Sequence, residues 1–141
     1  MGRFTVLVLG SAAGGGFPQW NVAARHAIWH GGRRARAGTA AVTAAMTERI
    51  KGADVVFFDG TLFRDDEMIA SGTGAKTGRR MGHLPIDGQD GSLAALEGVT
   101  GRRLYVHVNN TNPILIEGSP ERVEVERKGW EVAEDGMEIV L

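Results

Sequence analysis

Four histidines and no cysteine bound the chemistry open to this chain of 141 residues. Without thiolates, disulfide bridges and cysteine-ligated zinc are excluded, so any metal must be held by imidazole and carboxylate. His107 and Asp59 are the most informative pair. Each sits at or near the end of an apolar run, "RLYVHV" (103–108) and "DVVFFD" (54–59), where open α/β sheets gather their ligands. Histidine with carboxylate suits zinc or iron with coordination positions left open. His83 stands in the glycine-rich stretch 71–91. It reads as a third ligand or a proton-transfer group, since imidazole titrates near neutral pH; the plain alternative is an exposed loop histidine. Nearby, Arg79 and Arg80 can clamp a substrate carboxylate, although an exposed basic pair is the commoner case.

The other candidates are weaker. His26 and His30 are four apart and would share one helix face, but Ala27 stands where H-E-x-x-H needs its glutamate, so an ordinary surface or core pair is the better reading. In "LGSAAGGGFPQWN" (9–21), Gly10 and Gly15 have the spacing of a phosphate loop. Gly16-Phe17 replaces its lysine and hydroxyl, however, and Ala12 breaks the dinucleotide fingerprint. Adjacent glycines serve tight turning and close backbone approach, which is compatible with a substrate-facing loop.

The elements that must position these groups follow from pattern. Phe4 to Leu9 and Asp54 to Asp59 read as buried strands, the second stopped by Gly60. Thr39 to Lys51 reads as a helix, because Val42, Met46 and Ile50 recur along one face and Gly52 ends it. Residues 22–38 read as an irregular connection, 67–70 as a short helix, 71–91 as a long loop, and 92–97 as a helix capped by Ser92. Arg103 to Val108 is a third strand, followed by a turn at 109–113. Ser119 and Pro120 open a helix that runs to Lys128 before Gly129. Trp130 to Ala133 and Met137 to Leu141 alternate around a turn, a hairpin signal. Strands alternating with helices give an α/β class.

Composition narrows the function classes. Residues 1–53 hold seven basic residues against one acidic, and 54–141 nine against sixteen. The basic cluster Arg33-Arg34-Arg36 lacks interleaved aromatics, so no nucleic-acid partner is expected. No apolar stretch approaches the ~20 residues of a bilayer span, and no secretory leader is read at the start. The expectation is a cytoplasmic protein without membrane insertion. The 21 glycines, about twice the usual ~7%, point to many tight turns.

Four segments carry a resemblance: "LGSAAGGGFPQWN" (9–21), "ADVVFFDGTLFRDDEMI" (53–69), "KTGRRMGH" (76–83), and "HVNNTNPIL" with "SPERVEVERKGWEVAEDGMEI" (107–139). Together they resemble the PqqB family, the coenzyme pyrroloquinoline quinone (PQQ) synthesis B proteins, over 1–21 and about 39–141. The resemblance implies a metallo-β-lactamase-like αββα sandwich and a role in PQQ biosynthesis. It implies PQQ or its Glu-Tyr-derived precursor as partner, and Fe(II) or Zn(II) as metal. The family's role is described as carriage of the quinone or precursor toward the periplasm, or as iron-dependent hydroxylation of the precursor; a catalytically inactive remnant is a third reading for this chain. Carried over by position, His107 matches the last metal-ligating histidine and Asp59 the bridging carboxylate, with His83 as a third candidate. Ser11, Gly15, Gly16 and Gln19 fall on the first-strand loop at the rim of the site, joined by Arg79 and Arg80 as substrate-binding candidates.

The departures are as definite. Family members are about twice as long, no D-x-D-H motif occurs here, and Val22-Ala23-Ala24-Arg25 stands where the family has a cysteine cluster. The expected architecture is one abbreviated domain over 1–141. Its parts are a first strand and glycine loop (1–21), a junction (22–38) and the C-terminal half (39–141), an incomplete sandwich. Such a cut should expose apolar residues around Val55 to Phe58 and favour a homodimer.

Overall fold

A computed structural model describes residues 6–9, 42–135 and 137. In chain order the elements are β1 (Val6–Leu9), α1 (Ala44–Ile50), β2 (Val55–Asp59), α2 (Glu67–Ala70), α3 (Gly78–Met81), α4 (Ser92–Ala95), β3 (Arg102–Val106), a 3-10 turn (Pro113–Leu115), α5 (Pro120–Arg127) and β4 (Trp130–Val132). The four strands form one parallel sheet in the order β1-β2-β3-β4. This is an α/β architecture, and the described residues supply one sheet of the expected sandwich.

Parallel pairing is what makes a site here. β2 and β3 run in register from Val55 against Arg102 to Asp59 against Val106, so their carboxyl ends finish side by side. The Gly60 N–H donates to the Val106 carbonyl at 2.8 Å, extending the alignment past both strands. The register is set at the other end by Gly101, whose φ is +89°. A Cβ there would lie 2.3 Å from the Ala53 carbonyl oxygen, so only glycine lets this turn meet the start of β2. Arg102 N–H then donates to the Asp54 carbonyl at 2.9 Å.

The core lies against Val56 and Phe58 of β2 and Leu104 and Tyr105 of β3, with Ile50, Leu84, Ile86, Leu96, Ile114, Val125 and Trp130 also buried. The apolar stripe read from sequence is real, for Val42 and Met46 pack on the core beside the fully buried Ile50. Thr43 caps α1, its side chain accepting from the Met46 N–H. Ser119 caps α5 in the same way, with Pro120 at the first helical position.

Several expectations are corrected. The stretch 71–91 is not all loop, since Thr77 caps the one-turn α3 and Gly82, at φ +93°, ends it. Ser92 does not cap α4, because Gly91 occupies the cap and the Ser92 hydroxyl bonds the buried Tyr105 hydroxyl at 2.9 Å. The strand read as 103–108 stops at Val106, where His107 turns into the left-handed region at φ 57°. Trp130–Val132 is a strand that pairs parallel to β3; residues 138–141, most of the return arm of the expected hairpin, lie outside the described residues. Finally, Val55, Val56 and Phe58 are buried and Phe57 is partly buried. The exposed apolar face around Val55 to Phe58, on which the homodimer expectation rested, is not found.

Candidate metal centre

Three segments deliver the site. Asp59 is the last residue of β2, His107 the first residue beyond β3, and His83 follows the glycine that ends α3. The His83 Nδ1 lies 2.7 Å from Asp59 Oδ2, and the His107 Nδ1 3.3 Å from Asp59 Oδ1. The two imidazoles are stacked at 23° with ring centroids 5.6 Å apart. Thr61, absent from the sequence reading, completes the group. Its hydroxyl donates to Asp59 Oδ1 at 2.5 Å and lies 3.0 Å and 2.8 Å from the Nδ1 atoms of His83 and His107. Asp59 and His83 are each only 5% exposed, so this is a dry cluster with His107 at its more open side.

The surrounding sequence explains itself as scaffold. The Asn109 N–H donates to the Thr61 carbonyl, and its side-chain amide donates to Thr111, whose hydroxyl donates to Glu67. The other Glu67 oxygen accepts the Phe63 N–H at 2.7 Å. Buried Asn112 donates to the Gly60 carbonyl and accepts the Ile114 N–H. The polar run "NNTN" thus stitches the loop after β3 to the loop after β2. Asp65 does the same for α3, accepting the Arg79 N–H with its carboxylate and the Gly78 N–H with its carbonyl.

Charge follows geometry. Burial pushes the Asp59 carboxyl upward, but hydrogen bonds from His107, His83 and Thr61 outweigh it and hold it below its ordinary value. The hydrogen bond to Asp59 raises His107 above its ordinary value against the opposing effect of burial. A depressed carboxylate contributes stability above its unfolded value of ~3.9 and loses it as pH falls through the folded one; a raised imidazole contributes fully below ~6.5 and loses it as pH rises through the folded one. The metal-free protein should therefore draw most from this pair between about pH 4 and 6.5. Thermal unfolding across pH 4–9 checks it, with His107→Gln expected to flatten the alkaline limb.

The donor set fits a metal. One ligand atom from each of Asp59, His83 and His107 lies within 4.8 Å of the others, a carboxylate and two imidazoles able to draw together on one ion. Of the substrate-side candidates, Arg79 is held by Asp90 at 2.9 Å. Arg80 is exposed on α3, without an ion pair among the described residues. Ser11, Gly15, Gly16 and Gln19, and likewise His26 and His30, lie outside the described residues.

Residues 20–107 match the Beta-lactamase superfamily domain. Coenzyme PQQ synthesis protein B of Methylobacterium radiotolerans is 55% identical over 114 residues, covering 79% of this chain and 38% of that protein. Its counterpart in Rhizobium meliloti is 60% identical over 105 residues, 74% of this chain and 34% of that one. The crystal structure of Zn2+-bound PqqB from Methylobacterium extorquens superposes with a TM-score of 0.71 at 53% identity, over 74% of this chain and 35% of that one. The chain thus spans little more than a third of the length of the curated relatives it matches. It belongs to the Beta-lactamase superfamily domain family, and the relatives it resembles there are the coenzyme PQQ synthesis B proteins.

Proposed function

We propose that this chain acts in PQQ biosynthesis, holding a divalent ion at Asp59, His83 and His107 and meeting PQQ or its Glu-Tyr-derived precursor there. One observation carries the reading: a carboxylate and two imidazoles from three segments converge in a chain 53% identical, over the shared region, to a Zn2+-bound relative. A bound ion supplies Lewis acidity toward an oxygen ligand. The chain's own part is to keep Asp59 ionised and buried, to hold both imidazoles against it, and to leave His107 on the open side. Arg80, exposed three residues before His83, is suited to pair with a carboxylate of the incoming molecule.

Carriage of the quinone or precursor is the first form of this proposal, because the sequence contains no D-x-D-H half-site. One observation favours hydroxylation instead: two histidines and one carboxylate are the donor set of non-haem Fe(II) oxygenases. Calorimetric titration with Zn(II) and Fe(II), followed by PQQ titration read by tryptophan fluorescence, separates the two. Carriage expects quinone binding with no oxygen consumption when precursor is supplied; hydroxylation expects oxygen consumption only with Fe(II). A folded chain that binds neither ion nor quinone would overturn both.

A further inference from the structure

We infer that Thr61 is the positioning residue of the Asp59–His83–His107 cluster, a role that rests on the metal reading above for its purpose. One oxygen atom touches all three candidate ligands: Asp59 Oδ1 at 2.5 Å, His107 Nδ1 at 2.8 Å and His83 Nδ1 at 3.0 Å. A hydroxyl has one proton and two lone pairs. The shortest contact is to the carboxylate, the length of a charge-assisted O–H···O bond, so the proton belongs there. Both lone pairs then face the imidazoles, and the contacts are satisfied when His83 and His107 carry their protons on Nδ1.

Thr61 also holds the backbone that presents His107. Its carbonyl accepts the Asn109 N–H at 3.1 Å, two residues beyond the histidine. Beside that anchor His107 adopts φ 57°, a region disfavoured for residues with a β-carbon unless the surroundings enforce it. Thr61 is 8% exposed, and its branched β-carbon restricts χ1, which keeps the hydroxyl aimed inward. Its carboxylate partner is two positions away, but the two imidazoles that give the hydroxyl its role are 22 and 46 positions away, out of reach of any local pattern.

The test compares Thr61→Val, which keeps the shape and deletes the hydroxyl, with Thr61→Ser, which keeps the hydroxyl. Co(II) serves as a spectroscopic probe and Zn(II) is measured by competition. Thr61→Val is expected to weaken both ions about 10- to 100-fold, the range for groups that orient metal ligands, and to change the Co(II) d–d spectrum. Thr61→Ser should match the wild type in both. In the metal-free protein, imidazole 15N NMR should show Nδ1–H on His83 and His107, with these signals displaced in Thr61→Val and restored in Thr61→Ser. Unchanged affinity and NMR in Thr61→Val, or an equal loss in Thr61→Ser, would overturn the role. If the wild type binds no metal but its imidazole signals follow the hydroxyl as stated, the metal reading fails and the positioning of the cluster stands.

Discussion

His107→Ala is expected to lower the affinity of the chain for Zn(II) at least ~100-fold, about 2.8 kcal/mol. His83→Ala and Asp59→Ala should do the same. Each removes one of the three donor groups the cluster brings within 4.8 Å, and two donors hold zinc poorly where three or four are the rule. The three variants should differ once metal is absent. Asp59, itself 5% exposed, accepts from both imidazoles and from Thr61, so Asp59→Ala strands the buried His83 and Thr61 together with the partly exposed His107. Breaking a buried charge pair from one side costs about 3–5 kcal/mol. His107→Ala removes a partly exposed side chain and should cost the metal-free fold much less. The affinities belong at a pH above the raised titration of His107, where protons no longer compete with the ion for imidazole. Arg80→Ala, exposed on α3, serves as the variant that leaves metal binding unchanged. Wild-type zinc affinity in any one of the three ligand variants would remove that residue from the site.

How much of this site was legible depended on how far its causes lie along the chain. Asp59 and His107 were visible because a buried strand announces itself locally, and a parallel sheet places the residues at its carboxyl ends together. His83 was harder. Its direction is fixed by a one-turn helix whose punctuation, Thr77 and Gly82, is lost among the other glycines of 71–91, and by Asp65, which anchors that turn from 14 residues away. Thr61 was illegible because a hydroxyl two residues beyond a strand has many local uses; only the fold brings both imidazoles to it. Ser92 misled for the same reason, its cap signal overridden by the Tyr105 hydroxyl across the core. Alternation in "WEVA" marked a strand correctly, yet period-two patterning could not say that it pairs parallel to β3. The sharpest correction concerns β2. Sequence logic set its apolar residues bare after loss of a half-sandwich, whereas Val56 and Phe58 lie in the buried cluster that also holds Trp130 and Ile114.

That cluster yields the second large effect: Trp130→Ala should destabilise the protein by about 3–5 kcal/mol. Trp130 is 1% exposed and belongs to a three-residue strand that also holds to β3 through its backbone pairing and the Arg102–Glu131 ion pair. Its ring stacks on Tyr105 at 4.3 Å and 17°, meets Phe58 edge-on at 6.3 Å, and carries the Arg103 guanidinium 5.5 Å above it. One truncation therefore opens a cavity against both β2 and β3 and strips the Arg103 head of its aromatic cover. Tyr105→Phe is the calibrating contrast. It keeps the stack and deletes only the bond to Ser92, for an expected cost of about 1–3 kcal/mol from the unpaired buried hydroxyl. Urea unfolding of both variants measures the difference. The result also bears on the metal centre, because Tyr105 precedes His107 by two residues on the strand that delivers it. If the sheet positions the cluster, zinc should raise the unfolding midpoints of both the wild type and Trp130→Ala, the variant binding more weakly than wild type but more tightly than His107→Ala. An undiminished midpoint in Trp130→Ala would mean that β4 does not hold β3 in place, and the geometry of His107 would need another source.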